Sequence, residues 1–117
     1  MTLQIIDGPT IAEGESLSDG ADCSAGDIVR ITIPQEFKDA NLTFQISTDG
    51  NFYNDLYLPN GNEVTIAAKP DCAIVIQGEI WGKAINFIKI RSGTAAHPVP
   101  QAVDCRLAIA IDVPAAA

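Results

Sequence analysis

The sequence predicts an all-β fold, and two observations carry that prediction. Apolar and polar residues alternate in several short runs, of which Leu42–Ser47 (LTFQIS) is the clearest, and a period of two indicates a strand with one buried face. Clusters of Gly, Pro, Asn and Asp separate the runs at intervals of about 8–12 residues. Together they predict an antiparallel β-sandwich or barrel of about eight strands with almost no helix.

The stretch Leu42–Leu58 predicts a β-hairpin. Its first arm is the alternating run Leu42–Ser47, whose three large apolar side chains face one way. Turn chemistry follows in Thr48–Asn51, because Gly and Asn accept positive φ at little cost. The second arm is the apolar and aromatic run Leu56–Leu58, which ends at a further turn.

Ahead of the hairpin, Asp27–Ile33 (DIVRITI) predicts a strand rich in β-branched residues, in which Val29, Ile31 and Ile33 alternate with Ile28, Arg30 and Thr32. Pro34 ends this strand. A short helical turn is predicted near residues 35–40, with Pro34 at its first position.

Four further strands are predicted after the hairpin. Glu63–Ala68 alternates, with Val64 and Ile66 inward. Cys72–Gln77 is apolar on both faces, as is typical of the centre of a sheet. The last two strands are Ile85–Arg91, with Ile88 and Ile90 inward and Lys89 and Arg91 outward, and Val103–Val113, with Val103, Cys105, Leu107, Ile109 and Ile111 inward.

The chain is predicted to form one domain with two short flanks. Residues 1–12 are interpreted as an N-terminal arm or an edge strand, because Pro9 is tolerated at the edge of a sheet but not at its centre. Residues 13–113 form the predicted β-sandwich domain, since 117 residues fit a single domain. Residues 114–117 are expected to be a frayed tail.

Net charge and hydropathy exclude several classes of protein. The net charge is −8, and six acidic residues precede the first basic residue, Arg30. Binding of nucleic-acid phosphates requires clustered Lys and Arg, so a nucleic-acid partner is not expected. No apolar run approaches the ~20 residues of a membrane span. Residues 1–4 lack the basic and apolar regions of a secretory signal, and we expect synthesis in a cytosol.

The residue pattern predicts no catalytic centre and no cofactor. The single histidine, His97, precedes a proline in a loop, whereas nucleophilic catalysis needs a base beside a Ser or Cys. The segment Asp49–Asp55 is rich in oxygen ligands, but it lacks the EF-hand spacing and predicts a tight turn more readily than a calcium site.

The three cysteines, Cys23, Cys72 and Cys105, lie far apart and include no C-x-x-C pair, which argues against zinc. Buried free thiols are expected for a protein made in a cytosol. A Cys23–Cys105 disulfide is the alternative.

The tetrapeptide Arg91–Thr94 (RSGT) suggests a strand end held by side chains. The hydroxyl groups of Ser92 and Thr94 can satisfy local backbone groups, and Gly93 permits positive φ. The planar guanidinium of Arg91 can bridge a carboxylate or a carbonyl of a neighbouring strand.

Several segments together carry a family resemblance. The two longest are LTFQISTDGNFYNDLY (Leu42–Tyr57) and FIKIRSGTAAHPVPQAVD (Phe87–Asp104), and Thr10–Pro34 and Pro34–Gln45 fit the same order and spacing. Over roughly residues 9–112, the chain resembles small virion accessory proteins of tailed phages and prophages. The resemblance implies a jelly-roll sandwich related to the galactose-binding-like fold, with a structural role at the head, neck or tail.

On this basis we expect a non-enzymatic virion protein, specifically a capsid decoration (cement) protein. Its expected partners are the major capsid protein or other virion proteins, and it is expected to be a homo-oligomer, with a trimer as one symmetric option. The alternative is a tail or fibre adhesin that binds host glycan through Trp81 or Tyr53.

The N-terminal arm, Met1–Glu15, is the predicted contact with the partner. Arms of this kind become ordered on docking and anchor through apolar side chains. The predicted contact residues are Ile5, Ile6, Ile11, Glu13 and Glu15.

Overall fold

Two four-stranded antiparallel sheets make up the structure, a computed structural model that describes residues 2–76, 80–83 and 85–114. The predicted all-β class is confirmed. A short 3-10 helix covers Ile80–Lys83. The strands are β1 (Thr2–Ile11), β2 (Ala21–Asp22), β3 (Asp27–Ile33), β4 (Leu42–Ser47), β5 (Asn54–Asp55), β6 (Cys72–Val75), β7 (Phe87–Ser92) and β8 (Cys105–Val113).

The strand order brings distant parts of the chain together. Sheet I has the order β1-β8-β3-β6, and sheet II has the order β2-β7-β4-β5. The first strand is therefore an edge strand of sheet I, and the last strand lies inside that sheet. The core consists mainly of β-branched and leucine side chains; its fully buried members include Ile11, Ile31, Leu42, Phe44, Ile88, Ile90, Leu107, Ile109 and Ile111.

The alternation predicted for the last strand is confirmed from Cys105 onward. Cys105, Leu107, Ile109 and Ile111 are all at most 1% exposed. Val103 was also predicted inward, which is wrong: its side chain is 44% exposed, because the strand begins only at Cys105.

The alternation predicted for Asp27–Ile33, with Val29 on the same face as Ile31 and Ile33, is interrupted. A register shift between Ile28 and Arg30 places a β-bulge in β3 against β8. A bulge adds one residue to one strand and reverses the alternation on either side of it. Ile28 is therefore buried, and Val29 is only half-buried.

The hairpin prediction is confirmed, with a different second arm. β4 pairs with β5 through Gln45 opposite Asp55 and Ile46 opposite Asn54. The predicted arm Leu56–Leu58 instead follows β5, and the amide of Leu56 donates to the carbonyl of Phe44.

The predicted central strand Cys72–Gln77 is an edge strand. β6 pairs only with β3, and Val75 is 66% exposed; Gln77 lies outside the described residues. An apolar run does not reveal how many neighbours a strand has. The predicted strand Glu63–Ala68 forms isolated bridges instead, at Glu63 and Ile66.

The predicted helical turn near residues 35–40 is a single hydrogen-bonded turn, in which the amide of Phe37 donates to the carbonyl of Pro34. It does not continue as a helix because the next amide has another acceptor. The amide of Lys38 donates to Oε1 of Gln101 at 2.7 Å, and Nε2 of Gln101 donates back to the carbonyl of Lys38 at 3.2 Å. Gln101 is 1% exposed.

Two glycines with similar backbone angles provide a matched test of packing. Gly93 has φ +89°, and a Cβ there would lie 2.5 Å from the carbonyl oxygen of His97. Gly61 has φ +88°, and a Cβ there would meet no atom within 4 Å beyond its own chain neighbours. Gly61→Ala should lower the free energy of unfolding by about 1 kcal/mol through backbone strain alone. Gly93→Ala should cost a further ~2 kcal/mol because the new methyl group meets rigid backbone.

Urea denaturation of both variants measures the difference. Equal decreases in the free energy of unfolding would show that the turn after β7 shifts to accommodate the methyl group at no energetic cost. The close backbone approach at Gly93 would then be unimportant for stability.

Candidate partner-binding surface

The N-terminal strand presents an open edge. β1 pairs with β8 from Thr2 opposite Val113 to Asp7 opposite Ala108, and no other described strand adjoins it in sheet I. Only the far end is covered: the amide of Thr10 donates to Oδ1 of Asp19 at 2.9 Å, and the amide of Asp19 donates to the carbonyl of Thr10. Residues 2–7 therefore border solvent along one side.

Two large apolar side chains stand on the outer face of this strand. Leu3 is 47% exposed and Ile5 is 54% exposed. Leu3 lies opposite Asp112 and Ile5 lies opposite Ala110. Residues that face each other across an antiparallel pair share a face of the sheet, so both side chains point away from the core.

The neighbouring strands of sheet I determine what surrounds these two side chains. The pairings align Ile5 with Ala110, Arg30 and Val75 in one row. The row two residues along β1 contains Asp7, Ala108, Thr32 and Ala73. Ala110 is 2% exposed and Ala108 is half-buried, so the exposed apolar surface of this face is confined to its edges.

The predicted contact residues occupy different environments. Ile5 is exposed, and so are Glu13 and Glu15. Ile6 is half-buried and packs against the core. Ile11 is 0% exposed, so its assignment as a contact residue is wrong: it is a core side chain that no partner reaches without opening the sandwich.

Leu3 was missing from the predicted contact residues. The signal was available in the sequence, because Leu3 and Ile5 are two residues apart and must share a face of a strand. Residues 1–12 were interpreted as an arm or an edge strand, and the contact residues were chosen from the arm interpretation, whereas the structure shows an edge strand. In an edge strand, only alternate side chains face away from the core, so the position along the strand decides which residues a partner can contact. In an arm that becomes ordered on docking, any apolar side chain can serve as an anchor.

A buried charged cluster lies on the outer face of sheet II. Arg91 was predicted to face outward; it lies on that face, but it is only 6% exposed. Its Nη2 contacts Oδ1 of Asp55 at 2.5 Å, and its Nη1 contacts Oε2 of Glu63 at 3.2 Å. Nη1 also donates to Oγ1 of Thr43, whose hydroxyl donates to the carbonyl of Gly93.

The roles suggested for the tetrapeptide Arg91–Thr94 are confirmed. Arg91 bridges a carboxylate of β5, two strands away from its own. The hydroxyl of Ser92 donates to the carbonyl of Val99, and the amide of His97 donates to the hydroxyl of Thr94. Gly93 adopts positive φ. These contacts join β7, the turn that follows it and the segment after β5.

The surroundings shift the pKa of several described groups, among them Asp55 and two of the cysteines. The hydrogen bond from Arg91 holds the pKa of Asp55 below its usual value. Burial raises the pKa of the Cys23 thiol to about 12, with a smaller contribution from the charge of Asp22, and burial also raises the pKa of Cys105. All three cysteines are free thiols, and Cys23 and Cys105 are buried as predicted.

The aromatic residues of the alternative adhesin hypothesis are largely engaged in packing. The ring of Trp81 lies 5.1 Å from that of Phe44. Tyr53 is half-buried, and Nζ of Lys89 lies 4.5 Å from its ring centre. Trp81 also borders a groove of about 260 Å³ whose other described lining residues are Leu58, Val64, Thr65, Ile66, Ile74, Val75 and Ile76.

The oxygen-rich segment Asp49–Asp55 forms a turn. Oδ1 of Asp49 accepts hydrogen bonds from the amides of Asn51 and Phe52 and from the hydroxyl of Ser47. Within residues 2–76, 80–83 and 85–114, no group of three His, Cys, Asp or Glu side chains is placed to hold a metal ion. Over the same ranges, no helix has the length and apolar character needed to cross a membrane.

Comparison with known proteins adds no assignment. No protein-family model matches the chain, and no curated protein sequence matches it significantly.

The charged cluster predicts a large difference between two arginines. Arg91→Leu should lower the free energy of unfolding by about 3 kcal/mol, because two carboxylates would lose their buried cation. Arg106→Leu is the matched control, since its 3.4 Å contact with Asp7 joins side chains that are 67% and 77% exposed. It should cost under about 1 kcal/mol. Chemical denaturation measures both, and comparable losses would contradict a stabilising role for the cluster.

The lowered pKa of Asp55 predicts a dependence of stability on pH. The unfolded chain binds a proton at this carboxylate more readily than the folded chain, so the stabilisation is complete above the unfolded pKa of about 3.9. It is lost as the pH falls through the lower pKa of the folded state. The stability gap between the natural protein and Asp55→Asn should therefore shrink on acidification.

Urea titrations between neutral and strongly acidic pH measure that gap. Asp39→Asn, at an exposed carboxylate with no ion pair among the described residues, is the control. A gap that stays constant with pH would refute the prediction for Asp55.

Proposed function

We propose that this protein is a non-enzymatic structural protein of a bacteriophage virion, and specifically a capsid decoration (cement) protein. It is made in the bacterial host cytoplasm and joins the assembled head, where its partners are the major capsid protein or other virion proteins. Nucleic acid and membranes are not partners. We further propose that its two sheets are wound as a jelly roll, as the resemblance of Leu42–Tyr57 and Phe87–Asp104 implies.

One observation carries this proposal on the structural side. Leu3 and Ile5 expose about half of their side chains on the open edge strand β1. Exposed apolar side chains grouped on one face mark a surface that binds a macromolecule. A small substrate requires a concave site, and neither residue lines the groove beside Trp81.

A decoration protein stabilises a capsid through linkage. Contacts with several subunits exist only in the assembled lattice, so binding favours that state over dissociated subunits. Repeated copies on a symmetric shell multiply the effect without any single strong contact. The role requires a body that keeps its shape, and the ties from Arg91 and Gln101 to distant segments supply this.

The acidic residues offer a second contribution. Glu13 and Glu15 are exposed just beyond β1, and the whole chain carries a net charge of −8. Both glutamates lie past the end of β1 that is remote from Leu3, and the acidic residues nearer the exposed pair are Asp7, two residues after Ile5, and Asp112, opposite Leu3. Acidic groups near an apolar patch favour a partner surface that is basic around an apolar centre, because complementary charge speeds encounter and sets orientation.

The test adds purified protein to particles of the encoding phage that lack it. The natural protein should co-sediment in saturable amounts and raise the temperature at which particles release their contents. Leu3→Glu combined with Ile5→Glu should weaken binding about tenfold or more, because charge enters the apolar patch. Val75→Glu alters a similarly exposed apolar residue on the opposite edge of the same sheet and should bind normally.

Circular dichroism and thermal unfolding must first show that both variants fold. Absence of the natural protein from the shell of virions, with labelling confined to the tail, would reject the decoration role. Binding to a glycan array instead would favour the alternative of a tail or fibre adhesin, for which the exposed Phe52 and Tyr57 are the available aromatic side chains.

A further inference from the structure

We propose that two copies of this chain associate through β1. Their open edges pair antiparallel about a two-fold axis at Gln4 and join two four-stranded sheets into one sheet of eight strands. The partner is thus a second copy of the chain. The inference specifies the oligomer of the proposed decoration protein, but the pairing depends only on the geometry of β1.

The exposed part of the β1 edge lacks the features that normally prevent an edge strand from pairing with another chain. Natural edge strands are normally guarded by charges, prolines, bulges or very short length. β1 is ten residues long, and its guards, a register shift after Asp7 and the pair Gly8-Pro9, lie toward the far end. Thr2–Ile6 (TLQII) has no charge, no proline and no glycine, so its unpaired backbone groups can accept another strand.

Electrostatics favours this approach over others. With a net charge of −8, two copies repel each other over most orientations. Thr2–Ile6 is uncharged, and the next residue, Asp7, lies 3.4 Å from Nη1 of Arg106. Two β1 edges can therefore meet without opposing like charges directly.

The register of the pair follows from self-complementarity. With the axis at Gln4, Leu3 lies opposite Ile5 of the partner subunit, and Ile5 lies opposite the partner's Leu3. Opposed side chains in an antiparallel pair have Cβ atoms about 5 Å apart. The two exposed residues of each copy would then form one cluster of four on the outer face of the joined sheet, doubling the apolar patch presented to a capsid.

The other edge of sheet I is less suited to pairing. β6 has only four residues, and the segment 64–69 runs beside it, so that residues of both line the same two grooves. A strand approaching β6 would meet this segment, whereas β1 is exposed on both faces from Thr2 to Ile5. A single strand pair is a small interface, and the dimer should dissociate at roughly micromolar concentrations.

Disulfide trapping tests the axis directly. Opposed residues of an antiparallel pair have Cα atoms about 4.5–5.5 Å apart, within the range that a disulfide spans. In a Cys72→Ser background, which leaves only the two buried native thiols, Gln4→Cys should form covalent dimers under mild oxidation. Val75→Cys in the same background should not.

The register has a separate test. Leu3→Cys alone should remain uncrosslinked, because identical residues away from the axis are too far apart. A mixture of Leu3→Cys with Ile5→Cys should yield the mixed dimer. Crosslinking of Leu3→Cys alone at the rate of Gln4→Cys would overturn the proposed axis.

Sedimentation equilibrium tests the dimer without engineered cysteines and without capsids. The natural protein should be a dimer at high concentration and dissociate on dilution. Leu3→Glu with Ile5→Glu should be monomeric, and Val75→Glu should remain dimeric. A monomer up to ~100 µM, a trimer, or a loss of association in Val75→Glu would each overturn the proposal.

A dimer that fails to bind particles would refute the decoration role alone, and a monomer that binds them would refute the dimer alone.

Discussion

The pairing of β8 with both β1 and β3 is the constraint on which the structure depends. It joins the first and last strands of the chain, and it directs Leu107, Ile109 and Ile111 into the core. Because β1 has no other strand neighbour among the described residues, its position and its open edge both follow from this pairing. Truncating β1 would uncover β8 and remove the buried Ile11, so the strand is part of the sandwich rather than an appendage to it.

Sheet II is held from outside by charge as well as from inside by apolar packing. Arg91 reaches across β4 to Asp55 and also contacts Glu63. Removing such groups from water is costly, and the cluster is favourable only because each donor has an acceptor. Thr43 and the turn at Gly93 complete the set. A hairpin that would otherwise be weakly held by the two-residue β5 gains fixed partners.

The two sheets therefore present different surfaces. The outer face of sheet II is partly covered by its own charged cluster, whereas sheet I leaves Leu3 and Ile5 exposed at its open β1 edge. This asymmetry is the physical basis for placing partner contacts at the β1 edge of sheet I. The groove beside Trp81 is lined mainly by aliphatic side chains, and glycan recognition requires convergent polar groups.

The sequence by itself determined the all-β class, the presence of a hairpin that begins with β4 and the inward residues of β8 from Cys105 onward, because these rest on local periodicity. It also determined the positive φ of Gly93 and the hydroxyl contacts of Ser92 and Thr94, which rest on turn chemistry, whereas the carboxylates that Arg91 contacts lie 28 and 36 residues away. Only the tertiary structure decided what depends on neighbours. The bulge in β3 appears only against β8, the exposure of Val75 depends on whether β6 has a second neighbour, and the helical turn after Pro34 is interrupted by Gln101, 63 residues away from Lys38. The same distinction applies to the predicted contact residues. The alternation of side chains along β1 could have identified Leu3 together with Ile5, because it is local. The burial of Ile11 depends on long-range packing that local sequence does not encode.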